Sequence, residues 1–242
     1  MILFESGDVL ALDKPAGVSM ATSSKAGKSE GEVLARLFAA CRVAPAAPLF
    51  LVHRLDAGTS GVVLLAKSAE AHRALSRAFQ ERRAVKTYRA LVWGHPVPAA
   101  ALLDAALARD RADGRKMRTS ADGKRAVTRY RTLRRYPGVA DLELVPETGR
   151  THQIRVHLAA KGHPIVGDDL YGGATRWRGV RNPEAREALR AVGRPLLHAA
   201  RLEVPELGPD VEARLPEDYE RVLSALPGRS PSRRADGAGD RP

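Results

Sequence analysis

Alternating apolar and polar positions divide the first third of the chain into short strands and two amphipathic helices. Residues 9–12 form an apolar run that residues 13–17 break with Pro and Gly, which predicts a strand and then a turn. Ser29 and Glu32 have capping-box spacing before an apolar stripe, which predicts a helix of about three turns. Ser68 predicts the N-cap of a second helix that ends near residue 82 and carries a basic outer face.

A second group of strands is predicted further along the chain. Residues 86–94 alternate with period two, and Tyr88 shares a face with the apolar positions. Residues 127–133 and 139–145 have the pattern of two strands joined by a tight turn. Before them, residues 109–126 are basic and rich in turn formers, which predicts an exposed hairpin or loop.

A later segment predicts a short helix that contains two histidines. Thr151 is the expected N-cap, and Ile154 and Leu158 lie one turn apart on the same face. His152 and His157 are five positions apart, so on a helix they point about 140° from one another. This spacing argues against a local zinc site of the His-x-x-x-His type.

The polar segment at residues 53–61, HRLDAGTSG, carries the chemistry that first suggests a function. Apolar runs at residues 49–52 and 62–66 flank it, so the segment is predicted to form a turn presented at the end of a sheet. One carboxylate, Asp56, lies there beside an imidazole and a guanidinium. From periodicity alone, Asp56 could equally be an ordinary turn residue, since Asp is common in turns.

Composition narrows the class of partner. The 242 residues include 40 Lys and Arg against 28 Asp and Glu, a formal charge of +12, for which a polyanion is the simplest partner. The chain has no long apolar span and no N-terminal export signal, and its single cysteine, Cys41, fits a reducing compartment. A cytoplasmic protein is therefore expected. From about residue 227 bulky apolar residues are lacking, which predicts a disordered basic tail over residues 227–242.

The motif at residues 53–61 resembles the HRLDxxTSG signature of the RluA family of RNA pseudouridine synthases. Further motifs follow in the order that this family shows, over roughly residues 3–205. They are Lys-Pro-x-Gly at residues 14–17, Lys-x-Tyr-x-Ala at 86–90, TGRTHQIR at 148–155, and matching segments at 164–172 and 197–199. Many relatives carry an S4-type RNA-binding domain first, whereas this chain starts almost directly at the catalytic domain, expected to span residues 1–226.

The resemblance implies a set of site residues. Asp56 matches the catalytic residue of the family, Tyr88 matches an active-site tyrosine, and Arg155 matches the arginine that pairs with the catalytic Asp. For Arg54, a role in base flipping or phosphate contact is our hypothesis. The residues expected to bind substrate or RNA are Lys14, Pro15, His53, Arg54, Thr59, Ser60, Arg150, His152 and Gln153.

The implied protein is an enzyme that isomerises uridines in rRNA or tRNA. Its expected fold is α+β, a pseudouridine synthase fold with a central, mostly antiparallel mixed sheet flanked by helices and loops. We expect a monomer that binds RNA and needs no cofactor, metal or nucleotide. The main alternative is a catalytically inactive RNA-binding or ribosome-assembly protein on the same fold. A weaker alternative, a metal-dependent RNA hydrolase built on His53, Asp56 and His152, lacks additional clustered carboxylates.

Overall fold

The computed structural model describes residues 1–21, 29–44, 48–205, 207 and 210–228. The predicted tail at residues 227–242 therefore lies outside the described residues, except for its first two positions. The break predicted after the first helix, at residues 44–48, also falls largely outside them.

The described residues form twelve strands, five α-helices and a short 3₁₀ turn at Arg176–Gly179. The strands are β1 (Ile2–Glu5), β2 (Val9–Lys14), β3 (Phe50–Leu51), β4 (Ser60–Ala66), β5 (Val85–Trp93), β6 (Ala100–Asp104), β7 (Leu107–Arg109), β8 (Met117–Thr119), β9 (Val127–Tyr136), β10 (Val139–Pro146), β11 (Leu197–Glu203) and β12 (Asp210–Glu212). The helices are α1 (Glu30–Cys41), α2 (Ala69–Gln80), α3 (Gln153–Ala160), α4 (Pro183–Arg190) and α5 (Glu217–Ala225).

Ten of these described strands form one central sheet, in the order β1-β2-β4-β11-β5-β10-β9-β6, with β3 also pairing β4 and β12 pairing β11. Every pairing is antiparallel except that of β4 with β11, which is parallel. The strands β7 and β8 form a separate hairpin that overlaps the basic segment at residues 109–126, which was predicted to be a hairpin or loop. The structure thus confirms the α+β class and the mostly antiparallel mixed sheet.

Local capping signals place the first two helices where the sequence predicts them. In α1, Ser29 and Glu32 form the reciprocal capping box, and the apolar stripe is buried. In α2, the Ser68 hydroxyl accepts a hydrogen bond from the Ala71 N–H at 3.1 Å. This helix ends at Gln80, slightly earlier than predicted. Among the described residues, none of the helices has the length and apolar character needed to cross a membrane.

The prediction that Thr151 caps α3 is wrong. The helix begins at Gln153, and its N-cap is His152, which has a left-handed backbone (φ 56°) and makes no side-chain capping bond. The buried Gln153 side chain accepts the Arg150 N–H at 3.0 Å, a local bond, and donates to the Val127 carbonyl of β9 at 2.9 Å, a tertiary bond. These bonds turn the chain before the helix starts.

The parallel pair β4–β11 is a seam that joins the strands β1, β2 and β4 to the rest of the sheet. Two apolar clusters extend across it, since each contains residues of both β4 and β11. Ser60 lies opposite His198 and Gly61 opposite Ala199. Gly61 has φ +112°, and a Cβ there would lie 2.2 Å from the Ala199 carbonyl oxygen. Only glycine allows this approach of the two backbones. A large cleft lies beside one end of this seam, where Thr59 and Leu197 line it.

Candidate active site

The cleft has a volume of about 790 Å³ and is formed by the β3–β4 loop, the end of α2, the start of β5 and the segment before α3. Its lining includes nine of the predicted site residues: His53, Arg54, Asp56, Thr59, Tyr88, Arg150, His152, Gln153 and Arg155. Lys14, Pro15 and Ser60 do not line it. The ionic side chains in its wall are Arg54, Arg82, Lys86, Arg150 and Arg155 against Asp56 and Glu147. The excess of cations favours an anionic ligand.

Asp56 lies on a loop whose backbone is held from two directions. The Ala57 carbonyl, next to it, accepts hydrogen bonds from the Gly17 N–H at 2.7 Å and from Lys14 Nζ at 3.3 Å. On the other side, Arg194 Nη1 donates to the Gly58 carbonyl at 3.3 Å. The Asp56 side chain itself is 30% exposed and faces the cleft. The fold therefore positions this carboxylate while leaving it accessible.

Lys14 and Ser60 were expected to contact RNA, but both side chains are buried and neither lines the cleft. Lys14 is 0% exposed and donates to the carbonyls of Pro15, Val18 and Ala57. Burial, assisted by the positive charge of Arg194, lowers the pKa of Lys14 to about 8. The Ser60 hydroxyl bonds to His198 Nδ1 at 2.9 Å inside the seam. Pro15 is exposed but lies outside the cleft wall.

Arg155 lies within reach of Asp56, as expected, with Nη1 3.6 Å from Asp56 Oδ2. Its closest partner is a different carboxylate, Asp168, which accepts from Nε and Nη2 of Arg155 at 2.8 Å each. Asp168 is 0% exposed, so this two-bond pair fixes the guanidinium from behind. Sequence reasoning missed Asp168, although it lies in the matching segment at residues 164–172.

His152 is the second neighbour of the Asp56 carboxylate. Its Nε2 lies 3.9 Å from Asp56 Oδ2, and its Nδ1 is 2.9 Å from the Tyr171 hydroxyl. Burial lowers the pKa of His152 and outweighs the opposing effect of Asp56, so the ring is neutral at neutral pH. A left-handed backbone at this position, uncommon except for Gly, Asn, Asp and His, aims the ring into the cleft.

Tyr88 lines the same cleft from β5 and is half-buried. Burial raises the pKa of Tyr88, and the negative charge of Asp56 raises it further. Tyr88 is therefore a neutral phenol at neutral pH. Its ring can stack on an aromatic base, and its hydroxyl can donate a hydrogen bond, but it is not a ready-made phenolate base.

His53 and Gln153 form part of the cleft wall through internal bonds. His53 stacks on Phe79 at 4.8 Å between centroids, and its Nε2 accepts the Leu64 N–H at 3.0 Å. Burial and the nearby Lys86 charge lower the pKa of His53 to about 3, so it remains neutral. Gln153 is buried and bonds to Thr148 Oγ1 at 2.7 Å. Both residues shape the cleft, and His53 Nε2 and the Gln153 side-chain amide already have protein partners.

The part of the chain that the structure describes contains no group of three or more His, Cys, Asp or Glu side chains arranged to hold a metal ion. The histidines that attracted the metal hypothesis are separated. His152 faces Asp56, whereas His157 is buried and bonds to Thr128 Oγ1 and to the Ala105 carbonyl.

Known proteins are similar to this chain in both sequence and fold. The sequence pattern of the family described as RNA pseudouridylate synthase matches residues 8–160. The chain is 37% identical to ribosomal large subunit pseudouridine synthase D of Pseudomonas aeruginosa, over 93% of the chain and 71% of that relative. It is 40% identical to the protein of the same name from Xanthomonas campestris, over 93% of the chain and 69% of the relative.

A solved structure, human RNA pseudouridylate synthase domain containing 4, is similar at 29% identity with a TM-score of 0.71, covering 93% of this chain and 92% of that one. The family pattern includes Asp56, Tyr88 and Arg155, which the fold brings into one basic cleft. The chain therefore belongs to the RNA pseudouridylate synthase family, and it is an RNA-modifying enzyme of that family.

Proposed function

We propose that this enzyme converts specific uridines of large-subunit ribosomal RNA to pseudouridine, with Asp56 as its catalytic carboxylate. The target RNA is inferred from the names of the relatives, which are ribosomal large subunit pseudouridine synthases. The observation that carries the catalytic proposal is the position of Asp56. Its carboxylate is exposed to a basic cleft, with Arg155 and His152 beside it and Tyr88 in the same wall.

The reaction is an isomerisation that needs no external oxidant or energy source. The N1–C1′ bond of uridine breaks, the base turns, C5 bonds to the same C1′, and the C5 proton is lost as N1 gains one. A carboxylate suits this exchange because it can bond covalently to an electron-poor centre or stabilise positive charge on the ribose. Both routes are compatible with the position of Asp56. Tyr88 would stack on the turning base as a neutral phenol.

The basic wall fits the rest of the RNA. The target base must leave its stack, which costs a few kcal/mol, and cations that hold the flanking phosphates can offset this cost. Arg54 and Arg150 are exposed at the cleft and are suited to phosphate contact, and Arg54 is also suited to base flipping. We propose that residues 1–226 act as one catalytic domain, as a monomer in the cytoplasm and without a cofactor.

The catalytic proposal is tested by Asp56→Asn, which keeps the shape of the side chain but removes its negative charge. We expect turnover to fall by at least about a hundredfold, while RNA affinity stays within a few-fold of the wild type. Tritium release from transcribed large-subunit rRNA labelled at C5 of uridine measures turnover. The matched control is Asp8→Asn, an exposed aspartate outside the cleft. Near-normal turnover by Asp56→Asn would contradict the assignment of Asp56 as the catalytic carboxylate.

The choice of RNA is tested separately. Pseudouridine is mapped in total RNA from a strain that lacks the enzyme, complemented with either the wild-type or the Asp56→Asn protein. We expect sites in large-subunit rRNA to be restored only by the wild type. Restoration confined to tRNA would overturn the proposed target without affecting the role of Asp56.

A further inference from the structure

Tyr171 contacts the two neighbours of the Asp56 carboxylate, His152 and Arg155, and also Asp168, which holds Arg155 in place. Its hydroxyl lies 2.9 Å from His152 Nδ1, and its backbone N–H donates to Asp168 Oδ1 at 3.2 Å. The guanidinium of Arg155 lies over its ring, 5.0 Å from the centroid. Sequence reasoning gave Tyr171 no role, and it does not line the cleft.

The same hydroxyl also holds the basic hairpin β7–β8. The backbone N–H of Met117, on β8, donates to Tyr171 Oη at 2.9 Å. The side chains of Met117 and Tyr171 pack against a small apolar cluster that includes Val156 of α3. The hairpin is thus docked onto the helix that carries Arg155. The basic residues of the hairpin and the loops beside it are Arg109, Arg111, Arg115, Lys116, Arg118, Lys124 and Arg125.

These contacts favour one tautomer of His152. Because Tyr171 Oη accepts from Met117 N–H, its own O–H is available to donate to His152 Nδ1, and this arrangement favours Nδ1 as the acceptor. A neutral imidazole with an accepting Nδ1 carries its proton on Nε2. That N–H faces Asp56 Oδ2 at 3.9 Å, so the positive end of the ring dipole points at the carboxylate. The opposite tautomer would turn a lone pair toward it.

We propose that Tyr171 is a positioning residue that couples docking of the basic hairpin to the Asp56 site, by holding His152 with Nε2–H toward the carboxylate. The proposal rests on the proposed catalytic role of Asp56. Tyr171 does not touch the reacting atoms. Its hydroxyl accepts a hydrogen bond from the hairpin at Met117, and the same hydroxyl orients the ring of His152. RNA that moves or seats the hairpin would therefore change the hydrogen bonding next to Asp56.

The test is Tyr171→Phe, which removes the hydroxyl but keeps the ring beneath Arg155. On the labelled large-subunit rRNA transcript we expect kcat to fall by about tenfold, with KM within about twofold of the wild type. The matched control is Tyr130→Phe, which removes a hydroxyl that donates to the Pro98 carbonyl outside the cleft. A kcat within twofold of the wild type for Tyr171→Phe would overturn the proposal.

A double-mutant cycle separates positioning from general packing. His152→Asn removes the ring with a residue that tolerates the left-handed backbone. If Tyr171 acts through His152, adding Tyr171→Phe to His152→Asn changes kcat by less than about twofold. A further tenfold loss in the double variant would show that Tyr171 acts independently of His152, and the coupling would be rejected.

A third measurement does not depend on activity. Ring nitrogen NMR of ¹⁵N-histidine-labelled protein reports the tautomer, and His152→Asn identifies the signals of His152. We expect protonated Nε2 in the wild type and a shift toward protonated Nδ1 in Tyr171→Phe. If the His152 tautomer is unchanged in Tyr171→Phe, the positioning role of Tyr171 is overturned, even if Asp56→Asn abolishes turnover. If Asp56→Asn remains active, the catalytic role of Asp56 is overturned, whatever the tautomer of His152.

Discussion

The Lys14 ammonium lies in the interior of the protein, with the carbonyls of Pro15, Val18 and Ala57 as its acceptors. Burying a charge is unfavourable unless hydrogen bonds compensate it, and here one of those bonds holds the residue next to Asp56. The lysine thus connects the turn after β2 to the catalytic loop. A family motif identifies this residue in the sequence, but its burial depends on packing across the sheet and cannot be predicted from the motif.

The buried lysine gives the stability a defined pH dependence. Its pKa is lowered from 10.5 to about 8 in the folded protein, so between these values the unfolded chain binds a proton that the folded chain has released. The free energy of unfolding, relative to Lys14→Met, should therefore rise with pH across this window, by about 3 kcal/mol at most. Urea denaturation of both proteins from pH 7 to 10 measures it. A difference that stays constant with pH would contradict the prediction.

The positions of some helices are predicted by local sequence signals, whereas the start of α3 depends on tertiary contacts. Ser29 and Ser68 cap their helices through bonds to residues three positions away, so the sequence alone was sufficient. The start of α3 depends on Gln153 reaching Thr128 on β9, 25 positions away, which no local pattern encodes. The helix α4 has its own local signal, because the Asn182 side chain caps it through a bond to the Ala185 N–H. The motif at residues 53–61 identifies Asp56 from the sequence alone. The ion pair between Asp168 and Arg155 is visible only in the folded structure.

Gly61 gives an element-scale prediction about the seam. Gly61→Ala combines a left-handed backbone with a direct clash against the Ala199 carbonyl, so we expect it to lower the free energy of unfolding by more than about 3 kcal/mol. Gly138→Ala is the matched control, because its φ is also positive (+79°) but open space surrounds it, and strain alone should cost about 1–2 kcal/mol. Thermal and urea denaturation measure both. Equal losses would show that the close strand approach does not limit stability.

At the scale of the whole molecule, the cations that make up the net charge of +12 differ in how far nearby carboxylates neutralise them. Several arginines outside the cleft are bonded to carboxylates, as Arg201 is to Asp210 at 2.6 Å and Arg131 to Glu143 at 2.5 Å. In the cleft wall, cations outnumber carboxylates. Phosphate contacts should therefore concentrate there.

This distribution predicts how salt affects RNA binding. Log K should fall linearly with log salt, by about 0.7 per neutralised phosphate of a single strand. Arg54→Ala and Arg150→Ala should each reduce the slope by about 0.7, whereas Arg201→Ala, outside the cleft, should leave it unchanged. Filter binding of the rRNA transcript between low and moderate salt is the measurement. Equal slopes for all variants would show that the cleft cations do not contact phosphate.

The parallel seam also determines when, during folding, the enzyme becomes active. Ser60 and His198, which meet across it, are 138 positions apart in the chain. Closing so long a loop is slow compared with forming the hairpins on either side, so the seam should be a late step. Asp56 comes from one side of this step and Arg155 from the other. A chain still emerging from the ribosome would have folded hairpins but no completed site until residues 197–203 are synthesised. Catalytic activity, regained during refolding, should thus lag behind the recovery of secondary structure.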